Sequence, residues 1–458
     1  MEEATGNMSA PTVISSTRRR VVVGLGVTGL SVARHLARRG ETFSVVDSRE
    51  QPPGLDDLRR ELPEVPVLLG DWHQSVLDTA GELVVSPGLS PQEPALARAV
   101  AQGAALCGDI DLFVAEAQAP VVGITGSNAK STVTALVGAM AEAAGRNAGV
   151  GGNLGTPALD LLDARRDLYV LELSSFQLER AGELGLEVAA VLNLTPDHLD
   201  RHGTLQRYHQ AKHRIFNGCR TVVFNADDPL TIPPLAGGRR QLSWRLGEPD
   251  LGAFGLRRVD GELWLVQGFE ALLPAARLKL PGRHNLANAL AALAIGHAAG
   301  LERGAMVEAL QAFTGLPHRC QLVTEAHGVR WVDDSKATNV GAALAAIEGL
   351  GESQRLLLIA GGRDKGADFR QLVPALKKYC DAVLLIGEAA EALQAAIGDA
   401  CPTVMARDLD SAVAEAARRA DPGQLVLLSP ACASFDQFKD YRDRGAAFAR
   451  AVLRELQS

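Results

Sequence analysis

Short β-rich apolar runs alternate with longer amphipathic segments along almost the whole chain, and this alternation limits the fold more than any other feature. Runs at 20–23, 42–46, 65–69 and 83–85 form a first block, and runs at 121–124, 168–173, 188–194 and 221–224 a second. A third holds 329–332, 355–359, 382–386 and 425–428. Strands separated by helices predict parallel sheets covered on both faces. Between the second and third blocks, 239–280 alternates like antiparallel strands and 285–299 reads as an apolar helix. The expected fold is therefore α/β with three domains, over 18–108, 109–315 and 316–458. Residues 1–17 are polar and aperiodic, and are expected to form a mobile leader.

The 458 residues leave ample chain for several cores, and 47% apolar with 22% charged residues is ordinary globular composition. A net charge of −8 offers no global positive field for nucleic acid or an acidic membrane surface, so any phosphate site must be local. No apolar run reaches the roughly 18 residues of a membrane span. The arginines at 18–20 followed by an apolar run imitate a secretory signal, but three glycines break the run, which reads as a buried strand and its turn. Six scattered cysteines without a CxxC pair fit neither a disulfide framework nor a zinc site, so a reducing cytoplasm is the expected setting. Only eight of the 46 basic residues are lysine. In so arginine-biased a chain, Lys130, Lys212, Lys336 and Lys365 stand out, because a compact or deprotonatable amine has uses that a guanidinium does not.

In open parallel sheets ligands sit beyond the carboxyl ends of the strands. Gly24, Gly26 and Gly29 spell GxGxxG after the first strand, and Asp47 closes the next one. That pattern suits a dinucleotide, another nucleotide such as a uridine diphosphate, or merely a tight turn. The segment from Val121 to Thr132 is a strand, a small-residue loop (Gly126, Ser127, Asn128, Ala129) and a helix start bearing Lys130, Ser131 and Thr132. This arrangement cradles a polyphosphate on loop amides, with the lysine between phosphates and Ser131 offered to Mg²⁺. Ala129 stands where glycine is usual: either the backbone there is not left-handed, or about 1 kcal/mol of strain is accepted. Glu172 lies in an otherwise apolar strand, where a carboxylate needs a cation. His198 follows the 188–194 strand, and Lys212 sits in the helical stretch 205–216 with no acidic neighbour.

Together these residues make the chain resemble the Mur ligases. The motifs GLGVTGLS, SPGLS, GITGSNAKST, GGNLGTPALD, LELSSFQLE, LNLTPDHLDRH, AKHRIF, NADD, PGRHNLANALAAL, GLPHRC, DDSKATN and SPACASFDQF occur in the family's order from about residue 20 to the end. The resemblance is strongest to the branch that joins D-glutamate to UDP-N-acetylmuramoyl-L-alanine with ATP, through an acyl phosphate. It implies that Gly26, Thr28, Asp47, Ser48 and Arg49 face the uridine nucleotide, which displaces the dinucleotide reading. It also implies that Lys212 is carbamoylated, and that the carbamate and His198 hold one Mg²⁺ while Ser131 and Glu172 hold a second. Asn153 and His198 match substrate contacts; Asn285, Asn288, Arg319 and Asp334 match ATP contacts, with Asp334 suited to a ribose and Arg319 to a γ-phosphate. His318, Lys336 and Thr338 match nucleotide and substrate contacts, and Lys365, Ser434 and Phe435 the D-glutamate pocket. The same resemblance implies a Rossmann-like domain over 18–108, a central P-loop-type ATPase domain with a mixed sheet over 109–315 and a Rossmann-like C-terminal domain over 316–458, which close around the reactants; a monomer is expected.

Arg363 adds a charge where the family pattern usually has aspartate. Sister ligases for L-alanine or a diamino acid, folylpolyglutamate synthase, and a nucleotide sensor without ligase chemistry are the competing readings. The domain in front of the P-loop and the SPACASFDQF motif argue against the first three, and Lys130, Glu172, His198 and Lys212 against the last.

Overall fold

The computed structural model describes residues 19–153, 155–233, 238–280, 282–364 and 366–457. The expected leader and Lys365 lie outside the described residues. By its contacts the chain divides into two compact units, Met1–Leu112 and Phe113–Ser458.

The first unit is built on five parallel strands: β1 (Arg20–Val23), β2 (Phe43–Asp47), β3 (Val67–Leu69), β4 (Glu82–Val85) and β5 (Ala105–Cys107). Their order is β3-β2-β1-β4-β5, so the strand order reverses between β1 and β4, where open parallel sheets bind ligands. At that point the chain leaves β1 through Gly24 and enters the helix Val27–Arg38. Ser86 Oγ, just past β4, donates to Gly24 O at 2.7 Å. A Cβ on Gly29 would lie 1.9 Å from Gly24 O, so only glycine lets the helix pack this closely on the turn.

The second unit carries two sheets. The larger contains β6 (Val121–Thr125), β7 (Ala148–Gly152), β8 (Leu168–Glu172), β9 (Val188–Val191), β10 (Thr221–Asn225), β11 (Arg240–Trp244), β12 (Phe254–Val259), β13 (Glu262–Gln267) and β14 (Glu270–Pro274). The order is β14-β13-β12-β11-β10-β9-β6-β8-β7. The smaller sheet contains β15 (Gln321–Ala326), β16 (Val329–Asp333), β17 (Leu356–Gly361), β18 (Cys380–Ile386), β19 (Thr403–Met405) and β20 (Leu425–Leu428), in the order β15-β16-β20-β17-β18-β19. Helix Arg283–Ala298 is apolar on most sides because it is enclosed: it packs against helix Lys130–Ala143, against the larger sheet, and against helix Val340–Gly351.

Three sequence expectations need correction. The stretch 239–280 is not wholly antiparallel: β11 runs parallel to β10, β12 joins β11 in parallel, and only β12, β13 and β14 alternate in direction. Alternation reports a half-buried face and carries no information about strand direction. The expected strand 188–194 stops at Val191, because Asn193 and Leu194 bond to other loops instead of continuing the ladder. Strands β5, β7, β15 and β19 were not foreseen; they are short, glycine-rich or half exposed, and stand at or next to a sheet end.

Gly29→Ala should destabilise the protein even though alanine normally favours a helix by about 1 kcal/mol. The clash with a backbone oxygen is the larger effect, and a net loss of about 2 kcal/mol is expected, read as a lower urea midpoint.

Candidate active site

Strand β6 delivers the chain at Thr125 into the loop 126–129, which turns into helix Lys130–Ala143. Ala129 is left-handed, with φ 67° and ψ −8°, so the glycine-like conformation is present and the strain is accepted. Its neighbours over-determine that backbone. Ser127 N donates to Asn193 O at 2.9 Å and Asn128 N to Asn193 Oδ1 at 2.8 Å, while Asn193 Nδ2 returns a bond to Asn128 O at 3.2 Å. Ser127 Oγ donates to Thr195 O at 2.9 Å, accepts from Thr195 N at 3.0 Å, and lies 3.1 Å from the Tyr208 hydroxyl. Lys130 Nζ donates to Gly126 O at 2.8 Å and Ser127 O at 2.9 Å, which holds its ammonium over the loop.

Helix Leu205–His213 brings Lys212 beneath the same loop. Its side chain is 1% exposed, and Nζ donates to Gly126 O at 2.8 Å and Thr125 Oγ1 at 3.3 Å, above the Tyr208 ring. Burial and the charge of Lys130 push the Lys212 amine well below the ordinary lysine range, against the opposing pull of Asp197 and Glu172. Both effects favour the neutral form of this amine.

Glu172 closes β8 and is 2% exposed. The glycine-rich end of β7 makes a close approach possible: Gly152 has φ 94°, and a Cβ there would lie 2.5 Å from Glu172 O. Asn153 N can then donate to Glu172 O at 2.8 Å, and Asn153 Nδ2 to Glu172 Oε1 at 2.6 Å. Glu172 Oε2 is buried without a partner among the described residues. Leaving a buried carboxyl oxygen unmatched costs roughly 1–3 kcal/mol, and a divalent cation would relieve that cost. The described residues hold no cluster of three or more His, Cys, Asp and Glu. A metal here would instead draw on the Glu172 carboxylate and the Ser131 hydroxyl, hard oxygen donors suited to Mg²⁺. His198 is left-handed (φ 52°) and packs edge-on to Phe176.

The C-terminal part of this unit completes the cleft. Arg319 Nη2 donates to Ser131 Oγ at 2.8 Å. Asp334, just past β16, accepts from Cys320 N at 3.2 Å and Ser429 Oγ at 2.8 Å. Burial raises its carboxyl from 3.8 to about 7, although the Ser429 and Cys320 bonds oppose the rise. His318 Nδ1 lies 2.6 Å from Asp333 Oδ2, and Lys336 Nζ stands 4.0 Å over the Tyr441 ring.

The resulting cleft, of about 550 Å³, is lined by Ser127 to Thr132, Asn153, Glu172, His198, Lys212, Asn285, Asn288, Arg319, Asp334, Lys336 and Thr338. Gly126 contributes its carbonyl to both lysines. Ser434 and Phe435 do not line it: Ser434 is buried and Phe435 is 65% exposed. Arg363 pairs by its backbone with Ala433, N to O at 2.9 Å and O from N at 3.0 Å, which places it beside that segment; nothing in the structure explains its charge. Sequence reasoning missed Asn193, Asp197, Tyr208 and Tyr441. Asn193 and Asp197 were visible beside His198 as polar residues past a strand end, whereas the tyrosines carried no signal.

In the other unit, all four lone-pair positions of the Asp47 carboxylate are engaged. Oδ2 accepts from Leu25 N and Arg49 Nη2, both at 2.7 Å, and Oδ1 from Arg49 N and Nε, both at 2.9 Å. Burial alone would raise its pKa, but these bonds together hold it below the usual value. Asp47 therefore braces the turn after β1, and Arg49 is tied to it.

Three family models match the chain in order: the Mur ligase MurD-like N-terminal domain at 18–108, the Mur ligase middle domain at 124–296, and the Mur ligase glutamate ligase domain at 318–432. The chain belongs to the Mur ligase family, with that family's three-domain α/β architecture. Among its relatives, the UDP-N-acetylmuramoylalanine--D-glutamate ligase of Pseudomonas putida is 56% identical over 96% of this chain and 98% of that protein. The enzyme of the same name from Pseudomonas aeruginosa is 56% identical over 96% and 99%. Among solved structures, MurF from Acinetobacter baumannii shares the fold with a TM-score of 0.63 at 15% identity, covering 96% of this chain and 93% of that one. A pseudomurein peptide ligase type C from Methanothermus fervidus does so with a TM-score of 0.62 at 18% identity, covering 96% and 100%.

Because the folded protein keeps the Asp334 proton up to about pH 7 and an unfolded aspartate releases it near 3.8, the folded state binds more protons between those values. Stability should therefore fall as pH rises through that window. Thermal melts from pH 4 to 8 should show a shallower fall in Asp334→Asn than in the unaltered protein.

Proposed function

We infer that the chain is the ATP-dependent ligase that adds D-glutamate to UDP-N-acetylmuramoyl-L-alanine in peptidoglycan precursor synthesis. The observation that carries this reading is the meeting of Lys130, Glu172, His198 and Lys212 in one cleft with Arg319 and Asp334 from the C-terminal part of the same unit. Close identity over nearly the full chain to ligases named for D-glutamate selects the amino acid.

The substrate carboxylate is a poor electrophile, so the reaction begins with transfer of the γ-phosphoryl group of ATP to it, giving an acyl phosphate. Loop amides, the start of helix Lys130–Ala143 and the Lys130 ammonium hold the phosphates, and Arg319 adds charge where the transferred group passes. Thr132, Asn285 and Asn288 border the nucleotide side and Asp334 suits its ribose. The D-glutamate amine then attacks the acyl carbon, and the tetrahedral intermediate collapses to amide and phosphate.

We assign one Mg²⁺ to Ser131 and Glu172 and a second to His198 and a carbamate on Lys212. Bound there, magnesium neutralises charge gathered from three anionic reactants. The buried Lys212 amine supports the modification: its nitrogen bonds to the carbon of CO₂ and releases a proton, leaving two hard oxygens. Asn153 orients Glu172 and, with Lys336 and Thr338, faces the substrate acid. Gly26, Thr28, Ser48 and Arg49 are assigned to the uridine nucleotide, with Asp47 as their brace. Ser434 and Phe435, which follow the Arg363–Ala433 bridge, remain our assignment for the amino acid, and Lys365 is assigned with them from its motif. The work divides among 18–108, 109–315 and 316–458. We expect a monomer in the cytoplasm, where ATP and the UDP-linked precursor are found; no described helix is long and apolar enough to cross a membrane.

Phosphate release with UDP-N-acetylmuramoyl-L-alanine, ATP and Mg²⁺ should require D-glutamate; release with a diamino acid instead, or with L-alanine on the precursor lacking alanine, would overturn the reading. Lys130→Ala should lose about 100-fold or more in kcat, as expected for removing a transition-state charge. Lys212→Ala should lose nearly all ligation, with or without added bicarbonate. In ¹³C-bicarbonate a carbamate resonance should appear in the unaltered protein and not in that variant.

A further inference from the structure

Asn339 stands at the start of helix Val340–Gly351, where its Oδ1 accepts from Ala342 N at 2.8 Å. That is an ordinary helix cap. The other end of the same amide reaches away from the helix. Nδ2 donates to Asp197 Oδ2 at 2.9 Å and to Asn128 Oδ1 at 3.2 Å, in two loops far away in sequence. Asn128 belongs to the phosphate loop, and Asp197 precedes His198, whose N–H its Oδ1 accepts at 2.9 Å. The approach is close at backbone level too: a Cβ on Gly341 would lie 3.1 Å from Thr195 Oγ1 and 3.2 Å from Asn128 Nδ2.

We propose that Asn339 is a positioning residue, which clamps the phosphate loop and the His198 loop at their working spacing when the C-terminal domain is docked on the central one. The proposal rests on the ligase reading for its assay, and the loops it joins are those assigned there to ATP and metal. Few side chains can do this. One carbonyl oxygen must cap the helix while two N–H bonds reach acceptors on the other side, a division that the asparagine amide makes and that serine, aspartate and alanine do not. Serine retains a cap acceptor but lacks the second donor. Aspartate retains the cap and sets a carboxylate oxygen against Asp197 Oδ2. Alanine lacks both functions. The clamp acts through Asn128 and Asp197 and need not touch substrate. A small displacement is enough, because a shift of about 1 Å in a positioned group can lower turnover by about 100-fold.

The order of the variants separates a clamp from a cap, since Asn, Asp and Ser cap helices about equally well. A clamp predicts that kcat for D-glutamate addition falls about tenfold or more in both Asn339→Ser and Asn339→Ala, and further in Asn339→Asp. The melting temperature should fall mainly in the alanine variant. A cap alone predicts near-normal kcat for serine and aspartate and damage confined to alanine, and that outcome overturns the proposal. If the Asn339 variants do not fold, Gly341→Ala decides: its Cβ should separate the loops and lower kcat without lowering the melting temperature, and unchanged turnover counts against the clamp. The unaltered protein is the control for the reading itself. If it fails to turn over D-glutamate, the assigned reaction is wrong; if it turns over and the variants follow the cap order, only the clamp is wrong.

Discussion

Two lysine nitrogens donate to one carbonyl oxygen, that of Gly126, and the chemistry of the cleft depends on that shared acceptor. Two ammonium groups so close and so poorly solvated repel, and the more buried one gives up its charge more readily. Lys130 is the less buried of the two, at the start of its helix. Lys212, enclosed by Thr125, Gly126 and Tyr208, is the one whose charge burial penalises most. Glu172 shows the complementary problem, a buried carboxylate with an unmatched oxygen. The same cleft thus gathers two lysine nitrogens on one side and, on the other, a buried carboxylate oxygen without a partner among the described residues.

The loop 126–129, whose Gly126 carbonyl both lysines share, is left-handed at Ala129 and held by bonds from a different strand end. Asn193 grips it from both sides, and Ser127 is locked to Thr195 and Tyr208. Residues of the C-terminal domain reach the same loop: Arg319 bonds Ser131, and Asn339 bonds Asn128. The loop 126–129, the start of helix Lys130–Ala143 and the C-terminal part of the unit are therefore parts of one hydrogen-bonded assembly.

Much of the fold was legible. The alternation of short strands with helices marks three parallel-type sheets, and the twelve strongly apolar runs coincide with strands to within a few residues. The edges were less legible. β7 is nearly all small residues because it must approach β8 closely, and such a strand has no apolar pattern to read. Within the site, Lys130, Glu172, His198 and Lys212 were legible because a cation beside glycines, a carboxylate in an apolar strand, a histidine past a strand end and a rare lysine each look wrong for an inert surface. Tyr208 was not, since a buried tyrosine in a helix looks like core. Ser434 and Phe435, taken from motif position, lie outside the cleft lining, while Tyr441 stands beside Lys336.

The sequence by itself determined the order of the elements, the strand ends at which chemistry gathers, and the residue types gathered there, because periodicity and local charge are properties of neighbours along the chain. Tertiary structure alone decided that Ala129 is left-handed, that Lys130 and Lys212 share an oxygen, that Asp47 is spent on its own turn, and that Asn339 joins two distant loops. Each of these involves at least one hydrogen bond or desolvation between groups tens to hundreds of residues apart, as when Leu25 reaches Asp47 and Lys212 reaches Gly126 beside their local partners, or rests on the loops those bonds hold in place. Such energies exist only once folding has removed the water between them.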